Sequence, residues 1–211
     1  MKTDTLIDLL ARDAGPAPKA LAARRLTMAV LLGLPISAGT AIALFGVLPA
    51  DMFNTAVPWM KIAYAAAVAL SAGWLTARLS RPAAPFQWQR RLTVAVVLIM
   101  LTLGALSLLA MPADSRFEAL FGPSWWACPL RVLALSAPAL AATVWAVRGL
   151  APTRPQAAGL AAGLLAGAMG AIGYALSCPE SSPAFVAVWY TLGMALTAGA
   201  GAALGPWVLR W

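Results

Sequence analysis

The chain of 211 residues contains no histidine, only two cysteines and only seven acidic residues, and 10% of it is charged. Each shortage removes a class of function. Without imidazole, both the commonest acid-base catalyst and the usual nitrogen ligand for a metal are missing. Two thiols make one pair, whereas thiol-disulfide relays in membranes pass electrons between two pairs or from a pair to a cofactor. The acids stand in the breaks between apolar runs or near the N-terminus, which leaves little within the runs for acid-base chemistry or metal-assisted hydrolysis. An enzyme is therefore not expected, and no cofactor is required. Low charge also argues against a soluble domain: 62% of the residues are hydrophobic and little polar sequence separates the apolar stretches.

What is present is a series of six apolar runs, at Leu26–Leu48, Met60–Ala77, Leu92–Met111, Trp126–Val147, Ala157–Ser177 and Ala184–Val208. Each is near the roughly 20 residues that a helix needs to cross a bilayer. Prolines and charges mark the breaks: Pro49 to Asp51, Arg78 to Arg91, Pro112 to Pro123, Arg148 to Pro155 and Cys178 to Pro183. The expected fold class is all-α, a polytopic membrane bundle of six transmembrane helices. Residues 1–25 would form a cytoplasmic amphipathic helix and linker, and 26–211 the transmembrane domain.

The first residues support that division. Thr5 and Asp8 have capping-box spacing, Leu6, Leu9 and Leu10 form one stripe with Ile7 beside it, and Gly15-Pro16 is a helix stop. A helix this short is marginal alone in water, so its leucines must rest on something. Two readings stand: the membrane or the bundle itself, and a protein partner. A secretory signal is not expected, because no short apolar core with a cleavage site precedes Arg24-Arg25.

Charge sets the orientation. Lys61, Arg116 and Arg131 fall on one side of the runs, and the other twelve of the fifteen basic residues fall on the side of the N-terminus. The positive-inside rule then puts both termini in the cytoplasm and both thiols at the outer surface, facing the periplasm if this is a bacterial inner membrane. The formal charge of +8 thus reports topology, and no direct nucleic-acid binding is expected.

The two cysteines share a context. Both read Cys-Pro, and each stands 25 residues from Thr153 in the turn between the fourth and fifth runs, Cys128 before it and Cys178 after it. Equal arms at about 1.5 Å per residue bring both to one depth. Contact would depend on helix rotation, and a disulfide would need Cα atoms within roughly 7 Å. Against any special role stands the readiness with which cysteine is buried as a small apolar residue.

Arg131, three residues after Cys128, shares its helix face and would favour the thiolate, or else snorkel to the head groups. Glu180, two residues after Cys178, is a candidate partner for Arg131. Two sulfurs with Glu180 could also take a soft metal ion transiently. In the fifth run Gly159, Gly163 and Gly167 recur every four residues, a face on which another helix backbone can lie closely.

The opening Met1 to Ala11, the Ala151-Pro152-Thr153 turn with Ala158-Gly159 after it, the run Cys178-Pro179-Glu180-Ser181-Ser182-Pro183-Ala184-Phe185-Val186-Ala187-Val188-Trp189-Tyr190 and the closing Leu209-Arg210-Trp211 resemble the NrsF-type membrane anti-sigma proteins. The resemblance covers essentially the whole chain. It implies a six-span inner-membrane regulator that holds an extracytoplasmic-function sigma factor inactive and releases it when heavy metals or oxidants act on its cysteines. Cys128 and Cys178 would be the sensing thiols, or the two ligands of a metal ion. Leu6, Ile7, Leu9 and Leu10 would belong to the sigma-holding surface. The family commonly has a histidine before the second cysteine, where Ser177 stands here, which favours thiol oxidation or ligation by two sulfurs alone. The partners implied are that sigma factor and the lipid bilayer, with no small-molecule substrate. The competing classes are a thiol-redox membrane protein and a small transporter, the latter disfavoured because no charged residue lies near a bilayer midplane.

Overall fold

In lipid, a backbone must satisfy its own hydrogen bonds, and long apolar segments do so as helices. A computed structural model of the chain describes residues 3, 5, 7, 20–81, 84–150 and 152–210, and every regular element among them is helical. These are α1 (Leu21–Phe45), a single 3-10 turn at Ala50–Asn54, α2 (Ala56–Leu79), α3 (Gln87–Leu109), α4 (Ala113–Phe121), α5 (Cys128–Leu135), α6 (Ala137–Arg148), α7 (Pro155–Ala175) and α8 (Pro183–Val208). Five of them are long and apolar enough to cross a membrane, and six spans result if α5 and α6 count as one. Ile7 is helical and exposed, whereas Leu6, Leu9 and Leu10 lie outside the described residues.

The helices differ from the apolar runs in three instructive ways. First, α1 and α3 begin several residues before their runs, because polar helix formers such as Arg24, Arg25, Gln87 and Arg90 extend the helix ahead of the point where apolar sequence starts, and α2 begins four residues early at Ala56. Second, the break from Pro112 to Pro123 folds into α4, with Asp114 in its first turn, where a carboxylate complements the helix dipole. Third, the fourth run is not one straight helix. It bends by 46° between α5 and α6. Pro138 cannot donate to Ala134 and its ring crowds that carbonyl, while the Ser136 hydroxyl bonds back to the Val132 carbonyl at 2.6 Å. The two arms of the cysteine hairpin are therefore equal in length but not in shape.

α7 is the axis of the bundle and is buried along most of its length. Its alanines and glycines let neighbours approach to backbone contact. A methyl group on Gly159, Gly163 or Gly167 would strike the backbone of Gly201, of Thr197 and Ala198, or of Met194, all in α8. Gly170 lies against Ser136 at the bend, and Gly173 against Ser37 of α1. By contrast α3 and much of α1 turn their leucines outward, as lipid-facing helices do.

Two clusters of buried residues divide the core. One holds Cys128 and Cys178 with Tyr64, Tyr174, Phe185 and Tyr190. The other, toward the opposite end, gathers Leu26, Leu79, Val147, Ala158 and Leu209. Basic residues collect at that second end: Arg25 fills the space beside Gly149, and Arg78, Arg81 and Arg154 line a cavity of about 270 Å³ in which Arg154 lies over the Phe86 ring.

Candidate functional site

Each cysteine stands where a helix meets a proline. Cys128 opens α5: its amide donates to the Ser124 carbonyl at 2.9 Å, and Pro129, lacking an N–H, fits the first helical turn. Cys178 lies just past α7, whose end is closed by the amides of Leu176 and Ser177 bonding to Gly173 and Tyr174. The chain then runs to Ser182, whose hydroxyl accepts from the Phe185 amide and starts α8 with Pro183 in its first turn.

The segment around Cys178 is fastened from several directions. The Leu48 amide donates to the Leu176 carbonyl at 3.0 Å, and the Ser177 hydroxyl donates to the Gly46 carbonyl at 2.6 Å. The ammonium of Lys61 donates to the carbonyl of Cys178 itself at 2.7 Å. Glu180 is taken by Ser124, whose amide and hydroxyl both donate to its Oε1, at 3.2 and 2.6 Å. Gly122 makes room for that carboxylate: its φ is +50°, and a side chain there would meet Glu180 Oε2 at 2.6 Å.

Both cysteines are free thiols with no exposed surface. They lie at the end of the bundle opposite the cluster of Arg25, Arg78, Arg81 and Arg154, yet neither faces solvent. The expectation of outward-facing thiols is corrected in that respect. α4, its stacked Phe117 and Phe121, and the Phe121, Trp125 and Trp189 rings cover this end, with the Trp189 indole donating to the Leu120 carbonyl at 2.8 Å.

Arg131 does not pair with Glu180. Its guanidinium donates to the Tyr174 hydroxyl at 3.2 Å and lies 4.8 Å over the Phe45 ring. The reason is that the two serine bonds hold Glu180 on the α4 side, while α5 aims Arg131 toward α1 and α7. Among the described residues no three of cysteine, aspartate and glutamate converge as a metal cluster would require, so Glu180 is not a third ligand in this arrangement.

The residue that sequence reasoning passed over is Lys61. The sequence groups it with the outer charges, but it is fully buried in α2 and bonded to the backbone of Cys178. Its signal was present: a lone lysine one residue inside an apolar run marks a partner or a function. Tyr190 is the second such residue. A stretch wound as a π-helix, Val186–Tyr190, carries its ring into the buried cluster that holds Cys178, and its buried hydroxyl has no hydrogen-bond partner among the described residues. Tyr64 completes the polar set through a 2.6 Å bond to the Thr191 hydroxyl. The arrangement is two buried thiols grouped with one ammonium, one guanidinium and three phenols, all at one end of the bundle.

Comparison with known proteins bears on what such a bundle is for. A family model described as "Negative regulator of sigma F", NrsF, matches residues 10–211. A probable anti-sigma-F factor NrsF of Azospira oryzae is 38% identical over 213 residues, and the anti-sigma-F factor NrsF of Caulobacter vibrioides is 35% identical over 217 residues, each match covering 100% of both chains. No solved structure gives a significant match.

Proposed function

The chain belongs to the NrsF family of negative regulators of sigma F, and on that premise we propose that it is a membrane-bound anti-sigma factor. It holds an extracytoplasmic-function sigma factor inactive at the bacterial inner membrane and releases it when Cys128 and Cys178 meet a thiophilic metal or an oxidant. The match of the whole chain to anti-sigma relatives carries this reading. The grouping of both thiols in one buried cluster, away from the basic end, supports the assignment of the sensing role.

The chemistry asks little of the protein. An oxidant that joins the two sulfurs takes two electrons and two protons leave; a soft metal ion displaces the thiol protons and binds both sulfurs. Either change alters a core packed at crystal-like density, which responds by rearranging rather than by stretching. The released state must gain a few kcal/mol for most of the population to shift. The basic end, with α1 and the residues before it including Leu6, Ile7, Leu9 and Leu10, holds the sigma factor in this reading.

Replacing both cysteines by serine tests the proposal. A sigma-dependent reporter should stay repressed in the Cys128→Ser, Cys178→Ser variant and fail to respond to metal or oxidant. Normal induction in that variant would refute the sensing role. Co-purification of the sigma factor with the full-length protein, and its loss on deleting residues before Gly15, checks the partner and its docking surface separately.

A further inference from the structure

Lys61 has no place in the mechanism above, and its setting is unusual for a charged side chain. Burying an ammonium is costly unless it is paired or used. Lys61 is fully buried, and its acceptor is a backbone carbonyl rather than a carboxylate, since the Oε1 of Glu180 is held by Ser124. The position explains how it is tolerated: the Cys178 carbonyl lies just beyond the C-terminal end of α7, where the helix dipole favours a cation.

The contact joins two elements that pack in different ways at their glycines. α7 is locked to α8 by backbone contact at Gly159, Gly163 and Gly167, so neither can slide without a clash. At Gly73, its one glycine, α2 meets α7 through a side chain: a methyl group there would sit in ordinary contact with Leu165 at 3.7 Å. Beside that seam an apolar groove of about 500 Å³ runs between α1, α2 and α7, lined by Val30, Leu34, Ala66, Leu70, Leu165 and Met169. Among the described residues, the α2 side chains that hydrogen-bond outside α2 are Trp59, to the 3-10 turn just before it, and Lys61 and Tyr64, which reach the extension of α7 and α8, all at the sulfur end. The remaining hydroxyls of α2, on Ser71 and Thr76, bond to carbonyls of α2 itself.

We propose that Lys61 is the positioning residue that couples the cysteine pair to α2: its hold on the Cys178 carbonyl turns a change at the sulfurs into movement of α2 as a rigid rod. α2 runs about 26 Å from Lys61 to Arg78, which lines the basic cavity with Arg81 and Arg154. The moving part is thus α2, and the glycine-locked pair α7 and α8 is the frame against which it moves. This rests on the reading that the cysteines sense, and it adds the route by which they act.

The test uses the full-length protein in lipid nanodiscs, with spin labels carried on genetically encoded unnatural residues so that the native thiols stay intact. One label pair replaces Arg78, in the last turn of α2, and Trp207, reporting α2 against α8; the control pair replaces Gln156 and Trp207, reporting α7 against α8. Methyl methanethiosulfonate is added until mass spectrometry shows Cys178 fully converted, the sulfur gaining a methylthio group as methanesulfinate leaves. The expected result is a shift of several ångströms in the first pair and none in the second. Lys61→Met should lose the shift with Cys178 equally converted, and Lys61→Arg, which keeps a charged donor, should restore it. Should Lys61→Met fail to fold, Lys61→Gln takes its place. An unchanged shift without the lysine, movement in the control pair instead, or no movement in the native protein overturns the proposal. The reporter assay keeps the two ideas apart: inducible cysteine-free protein sinks sensing, whereas silent cysteine-free protein with movement surviving in Lys61→Met sinks the role of Lys61 alone.

Discussion

Single residues at the sulfur end carry sharp expectations because each is held by named atoms. Gly122 combines a left-handed φ of +50° with the Glu180 carboxylate pressed against it. Gly122→Ala should cost about 1–2 kcal/mol from backbone strain alone, read as a lower unfolding midpoint in detergent. Tyr190 gives the opposite sign. Its hydroxyl is buried without a partner, so Tyr190→Phe loses no hydrogen bond and should leave stability unchanged or raise it by about 1 kcal/mol. A marked loss of stability in that variant would show that the hydroxyl is satisfied after all. Glu180 teaches a related lesson. Their places beside the two cysteines make Arg131 its expected partner, but Ser124, a residue with no charge, supplies two donors instead.

At the scale of elements, the four-residue glycine period of α7 is visible in the sequence, but the helix that lies on it is not. The structure puts α8 there, with Gly201 and Gly205 answering Gly159. Gly163→Leu should therefore cost about 1–3 kcal/mol by overpacking, seen as loss of monodisperse folded protein on size exclusion. Gly199, on the same helix as Gly201 but with nothing within 4 Å, should accept alanine at no cost and gain up to about 1 kcal/mol of helix propensity. Equal effects at the two sites would contradict the packing of α7 on α8. The bend between α5 and α6 was foreshadowed only by Pro138, and α4 by a run of breakers that reads equally well as a loop. Proline reports where a hydrogen bond is missing; the direction the chain takes afterwards depends on what it packs against.

For the molecule as a whole, the thiols and most of the arginines mark opposite ends, and burial governs access at the first. A membrane-impermeant thiol reagent applied to cells with an opened outer envelope should label both native cysteines much more slowly than a cysteine introduced at Asp51 or Asp114. A cysteine introduced at Arg90 should react only after the inner membrane is breached. Rapid labelling at Arg90 from outside would reverse the proposed orientation.

The sequence by itself determined the helical class, the number of apolar runs, and the separation of sulfur from most of the basic residues, because each follows from local composition and the thickness of a bilayer. Tertiary structure alone decided that Lys61 is buried against Cys178, that Arg131 turns to Tyr174, and that α7 is the axis. The reason is physical. In a soluble helix, an apolar stripe announces the buried face. Helices bathed in lipid are apolar on every side, so rotation and neighbours are fixed only by how side chains far apart in the chain fit together.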